Sequence, residues 1–234
     1  MALYPQLPQL STIKEVATFQ ELINTPFKET TNALCWARNL SGDFKEIVAK
    51  LSLQDDITNV SMEELKTLPL SPQGELARAT ILSDFEQLRL AGAQPSLNLL
   101  KCYERDTTLD YISTDVYSYH VDRSPVPTST FLCTYAGATS DILLNQDAAQ
   151  MIHIPAVREQ LKTLHDGAGE EFDAFLAEFF FDLHYRAKPD ARPIAMQNGH
   201  LWRLAVAHPG QEVLPCIHRA PVEKDQEVRL LLIC

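Results

Sequence analysis

The sequence predicts an α+β fold: a mainly helical front, residues 1–92, leads into strands suited to a β-sandwich or barrel buttressed by helices, residues 93–234. Three observations carry this. Up to residue 92, apolar residues recur at helical spacing behind capping signals; from residue 97, short runs of β-branched, aromatic and aliphatic residues alternate with Pro, Asp and Ser; and helical spacing returns in an insertion at about 146–186 before strands resume.

Residues 1–12, with Pro5 and Pro8, read as an extended lead. Ile13, Val16, Ala17 and Gln20 sit at helical spacing, and Thr31 or Asn32 is placed to cap a short helix through Leu34, Cys35 and Trp36 that Gly42 would stop. Asp43 and Glu46 form a capping box ahead of a Phe44, Ile47, Val48, Leu51 stripe, and Ser61 with Glu64 repeats the signal. Ser71-Pro72 opens a longer helix, with proline at its first position, and Gly92 closes it. Strands are expected at 97–103, 115–121, 128–135 and 142–144. The insertion reads as helices at 147–164, interrupted near Pro155, and 170–185, and the final strands are expected at 193–196, 201–207, 214–218 and 228–233. Phe172, Phe175, Phe179, Phe180 and Phe181 read as a helix packing face.

Composition excludes several classes. Hydrophobic residues at 45% and charged residues at 22% are ordinary for a globular chain long enough to bury a sizeable core. The net charge of −11 comes with scattered basic residues, which argues against nucleic acid as a partner. No apolar run approaches the ~20 residues that cross a bilayer, and Met1-Ala2-Leu3-Tyr4-Pro5 lacks the basic and apolar regions of a secretory signal, so a cytoplasmic protein without membrane contact is expected. Five widely spaced cysteines without a Cys-x-x-Cys pair read as reduced, mostly buried thiols.

The chemistry concentrates in His120-Val121-Asp122, with His218 lying 96 residues after Asp122 and Arg229 a further 11 residues on. Side chains alternate faces on a strand, so His120 and Asp122 point the same way and can share one ion; two His and one carboxylate form the facial set that holds Fe(II) with open positions. The following Arg123-Ser124-Pro125-Val126-Pro127 cannot continue a central strand, which puts the pair at a strand end. Without its distal half, His-x-Asp reads first as a surface turn in which Asp122 bonds to nearby backbone. Arg229 is a permanent cation in an apolar strand, met either by an anionic cosubstrate, by an internal Asp or Glu, or by solvent on an edge strand. His208, with Arg219 again 11 residues on, is a rival distal pair; it precedes a Pro209-Gly210 turn, and Arg219 is followed by Ala220-Pro221, so His218 is preferred. His153, His165, His184 and His200 have no partner at ligand spacing and read as surface or satisfied core histidines.

These residues resemble the Fe(II)/2-oxoglutarate-dependent dioxygenase superfamily, through Tyr119-His120-Val121-Asp122, His218 and Val228-Arg229-Leu230-Leu231-Leu232. More closely, the chain is similar to an uncharacterised bacterial family with the same pattern, through residues 32–38 (Asn-Ala-Leu-Cys-Trp-Ala-Arg), Leu132-Cys133-Thr134-Tyr135-Ala136-Gly137 and His218-Arg219-Ala220-Pro221. Where that family continues with a Gly-Pro-Gly-Thr-Glu-Trp type of stretch, this chain has Ala136-Gly137-Ala138-Thr139-Ser140-Asp141, which leaves substrate identity open. The resemblance implies a double-stranded β-helix (jelly-roll, cupin-like) over 93–234, Fe(II) on His120, Asp122 and His218, and 2-oxoglutarate with its distal carboxylate on Arg229. It further implies oxidative decarboxylation to succinate, with hydroxylation of a small-molecule or protein substrate as the default outcome. Thr134 and Tyr135 are candidate hydroxyl donors to the cosubstrate, but they face opposite ways on a strand, so at most one serves. Two alternatives stay open. One is a non-catalytic metal- or carboxylate-binding module on the same fold; the other is a cupin-type enzyme that does not use 2-oxoglutarate, which requires a protein carboxylate beside Arg229.

Overall fold

The computed structural model describes residues 12–167, 169–222 and 227–234; residues 1–11 of the expected lead and residues 223–226 lie outside them. The described elements run β1 (Ile13–Val16), α1 (Phe19–Asn24), β2 (Ala33–Trp36), α2 (Phe44–Lys50), β3 (Ile57–Asn59), α3 (Met62–Thr67), α4 (Pro72–Leu90), β4 (Ser96–Leu100), β5 (Tyr119–His120), β6 (Ser129–Ala136), β7 (Asp141–Leu143), β8 (Ala148–Gln150), α5 (Pro155–Lys162), α6 (Phe172–Glu178), β9 (His184–Ala187), β10 (Ile194–Ala195), β11 (Leu201–Ala205), β12 (Ile217–Arg219) and β13 (Arg229–Ile233), with short 3-10 turns between some of them.

The fold is α+β with two sheets, one of them curled into a half-barrel. The larger sheet has the order β1-β2-β11-β6-β13-β4-β3 and the smaller β10-β7-β12-β5-β9-β8. Apart from the parallel β1–β2 pair, the named strands pair antiparallel. Alternation along β6 and β13 sorts the core. Phe131, Cys133, Tyr135, Leu230 and Leu232 face α1–α4, whereas Leu132 and Leu231 face the smaller sheet, where they meet Ile142, Trp202 and Cys216. Helices α5 and α6 close over a separate apolar cluster around Leu161 and Leu176.

The front helices follow their caps: the side chains of Asp43, Ser61 and Ser71 accept the N–H of Glu46, Glu64 and Gly74. In α4 the buried positions Gly74, Ala77, Ile81, Asp84 and Leu88 fall at alternating spacings of three and four, one seam against the sheet.

Two expectations for the front are corrected. Residues 13–16 and 33–36 are strands rather than helix, and with β3 they join the larger sheet. The reason lies in burial on both faces: Ala33 and Cys35 pack between the sheets while Leu34 packs under the helices, and a four-residue apolar run carries no period that distinguishes the two states. The insertion is also less helical than expected, since 148–150 and 184–187 pair with each other as β8 and β9. Arg229 lies on β13, between β6 and β4, so an edge strand with a solvent-facing arginine does not describe it. No helix among the described residues is long and apolar enough to cross a membrane.

Candidate metal centre

His120 ends β5 and pairs directly across with His218 on β12, whose other neighbour is Ile142 of β7. Directly paired residues share a face, and Ile142 belongs to the core between the sheets, so both imidazoles point inward. Asp122, two residues on, follows them. Ligand atoms of His120, Asp122 and His218 all lie within 4.8 Å of one another, with Asp122 Oδ1 3.9 Å from His120 Nε2 and Oδ2 3.7 Å from His218 Nε2.

The hydrogen bonds settle which nitrogen is free. His120 Nδ1 lies 2.8 Å from the carbonyl of Ser118 and His218 Nδ1 lies 3.3 Å from that of Cys216, each two residues back along the chain. A carbonyl only accepts, so Nδ1 carries the proton in both rings, and both Nε2 lone pairs are directed at Asp122. Burial, reinforced by His218, pushes the His120 pKa down to about 4, so its ring is neutral near pH 7 and meets Asp122 as an imidazole with a free Nε2 rather than as a cation. At Asp122, burial opposes the charged form, but His218, the Thr130 hydroxyl and His120 outweigh it and hold the carboxyl below its usual range. Thr130 reaches from the larger sheet to donate to Asp122 Oδ2 and thereby fixes the carboxylate. Side-chain exposure is 13% at His120 and 9% at His218 but 33% at Asp122, which makes Asp122 the open edge.

Arg229 is 4% exposed and lies on the same face of β13 as Leu231, toward the smaller sheet. Its Nη2 approaches Ser140 Oγ at 3.4 Å, two residues before Ile142, and the Tyr103 hydroxyl lies beside it. Gly137 holds φ +86°, and a Cβ there would come within 2.9 Å of Arg229 Cα and Cγ, so glycine is what lets the chain pass this close to Arg229. Thr134, on the same inward face of β6, has a buried hydroxyl without a hydrogen-bond partner among the described residues. Its strand partner is Leu231, two residues from Arg229. A guanidinium flanked by hydroxyls and a nearby orphaned donor suits a carboxylate ligand.

Tyr135 does not belong here. It faces the helices, stacks on Phe44 and donates its hydroxyl to Asp84 at 2.7 Å, while Arg38 forks onto the same carboxylate at 2.6 and 2.8 Å. Its place as a cosubstrate donor is corrected by strand alternation, which leaves Thr134 alone on the inward side. The rival pair is likewise engaged elsewhere: His208 contacts Pro209 O and Gln211, and Arg219 pairs with Asp141 at 3.2 Å and covers the Tyr119 ring. The five cysteines are free thiols, three of them buried.

Sequence reasoning missed two neighbours of the site. Thr130 carries no local signal, because its role arises only when two sheets meet. His184 is the satisfied core histidine expected, buried and bonded to Ser118 Oγ, but it also pairs directly across from His120 and so abuts the triad. Only the cross-strand register could have revealed it. Compared with protein-family models, curated proteins and solved structures, the chain matches none.

Proposed function

We propose that this protein is a non-haem Fe(II)/2-oxoglutarate-dependent oxygenase, a cytoplasmic hydroxylase by default outcome, on a double-stranded β-helix. The observation that carries the reading is the convergence of two Nε2 lone pairs and the Asp122 carboxylate on one point, together with a buried arginine flanked by the Ser140 and Tyr103 hydroxyls. The donor set fits Fe(II), as two imidazoles and one carboxylate leave coordination positions for cosubstrate and oxygen. When bound, Fe(II) supplies oxygen activation coupled to decarboxylation of 2-oxoglutarate to succinate.

The chain's own residues then divide the work. His120, Asp122 and His218 hold the ion; Ser118 and Cys216 carbonyls keep both Nδ1 protonated and Nε2 available; Thr130 keeps Asp122 aimed. Arg229, with Ser140 and Tyr103, binds the distal carboxylate, and the Thr134 hydroxyl supplies a further donor. Leu132, Ile142 and Leu231 exclude water between the sheets.

The test is an anaerobic titration of Fe(II)-loaded protein with 2-oxoglutarate, followed by the visible metal-to-ligand absorption band. A band in wild type that weakens in Arg229→Ala, with iron content unchanged, is expected. Stoichiometric iron without a band removes 2-oxoglutarate, and a band without succinate release under oxygen across a broad substrate panel favours the non-catalytic module.

A further inference from the structure

A cavity of about 430 Å³ lies on the helix-facing side of the larger sheet, where Ile23 and Phe27 meet Phe131 of β6 and Arg203 of β11. It is separate from the metal centre. Arg203 pairs directly with Phe131, which faces α1–α4, whereas Thr130, one residue back, turns the other way to Asp122.

Arg203 is a half-buried cation that no carboxylate answers among the described residues. Its Nη1 donates to the carbonyls of Leu22, Ile23 and Thr25 at 3.2, 2.7 and 3.1 Å, and its Nε to Ser129 Oγ at 3.0 Å. All four acceptors are neutral, so they satisfy hydrogen bonds without meeting the charge. The rings of Phe27 and Phe131 lie 4.8 and 6.0 Å from its Cζ. Nη2 has no hydrogen bond to a described residue and is reachable by solvent. Burial alone acts on the Arg203 pKa and lowers it, the direction of a cation held without a counter-charge.

These contacts define what is missing. A desolvated guanidinium is costly until an anion meets it, and its N–H edge matches a carboxylate. The charge to be met is one, because no other Lys or Arg and no Asp or Glu lines the cavity, and both nitrogens of His208 are engaged by the Pro209 carbonyl and Gln211. A phosphate monoester, at about −1.5 to −2, carries more charge than this wall answers. The hydroxyls of Thr128 and Ser129 line the cavity and have no acceptor among the described residues, so they are further donors to an oxyanion. Ile23, Phe27 and Phe131 supply apolar surface beside the charge.

We infer that this cavity binds a small monocarboxylate with an apolar body, its carboxylate on Arg203 Nη2 and its aliphatic or aromatic part against Ile23, Phe27 and Phe131. The inference is independent of the metal reading proposed above.

The test is calorimetric titration of the full chain with hexanoate and 3-phenylpropionate, against 3-phenylpropanamide and phenyl phosphate. Saturable binding of at least one carboxylate is expected, at least about tenfold weaker for the amide and in Arg203→Gln, and weaker for the phosphate. Arg203→Gln removes bonds to the end of α1 and is checked for folding by circular dichroism. Ala91→Trp is the second variant: Ala91 is exposed at the C-cap of α4 and lines the cavity, so the indole fills the space without touching the contacts of Arg203. Loss of binding there places the carboxylate in the cavity. No saturable binding of either carboxylate into the millimolar range overturns the inference, as does equal binding of the amide or of the phosphate. Binding that persists in Ala91→Trp also overturns it, by placing the carboxylate elsewhere, the surroundings of Arg229 included.

Discussion

At the scale of single residues, the site is built from side chains whose second contacts matter as much as their first. Thr130 is the only described residue of the larger sheet with a hydrogen bond to Asp122, and removing its hydroxyl frees the carboxylate to rotate. Thr130→Val is therefore expected to weaken divalent-metal binding by about 10–100-fold in a calorimetric titration, with circular dichroism unchanged. Affinity equal to wild type would rule out an orienting role. Asp84 makes a different demand. It sits in the apolar seam of α4 with 3% side-chain exposure, answering Arg38 at 8% and Tyr135. Asp84→Ala strands a buried guanidinium, and urea unfolding is expected to show a loss of roughly 3–5 kcal/mol. Metal affinity should be preserved in that variant, because this cluster lies on the opposite face of β6 from the triad.

At the scale of elements, close approaches and turns set the frame that carries the site. The turn before α2 crosses α4 at Gly42, where φ is +117° and an added Cβ would lie 2.5 Å from Ala77 N. Gly42→Ala meets both backbone strain and a clash with helix backbone, so a loss of at least about 1–3 kcal/mol is expected by chemical denaturation. The loop between β4 and β5 is organised by Asp106, which accepts the N–H groups of Thr108 and Thr114 and the Thr114 hydroxyl. Those bonds, led by the Thr114 N–H, pull its pKa from an ordinary 3.8 down to about 2. A carboxyl depressed in the folded state stabilises fully above its unfolded pKa and ceases to do so as pH falls through the folded one. Asp106→Asn should therefore flatten the decline in stability between about pH 4 and pH 2 relative to wild type, and an identical decline in both proteins would contradict this reading.

At the scale of the whole molecule, the candidate metal site joins the two sheets, for His120, Asp122 and His218 lie on or beside the smaller one while Thr130 reaches Asp122 from the larger. An ion bound there is linked to global folding. At a free concentration about a hundredfold above its dissociation constant, Mn(II) or anaerobic Fe(II) is expected to add about 2.7 kcal/mol, roughly 5–10 °C in Tm for a chain of this size. The same addition to His218→Ala should leave Tm unmoved. A shift of equal size in that variant would locate the binding elsewhere.

The sequence by itself determined what local periodicity encodes. Caps at Asp43, Ser61 and Ser71 placed α2, α3 and α4, the His-x-Asp motif singled out His120 and Asp122 together, and the period of two along a strand set Thr134 and Tyr135 on opposite faces. The apolar context of Arg229 distinguished its strand, and with it His218 from His208. Only the tertiary structure decided the rest: that His218 lies directly opposite His120, that Thr130 fixes Asp122, that Tyr135 answers Asp84, and that residues 13–16 and 33–36 are strands. The physical reason is common to all four. A strand's register and a short apolar run's state are set by partners far along the chain, and their energy exists only once those partners are packed against them.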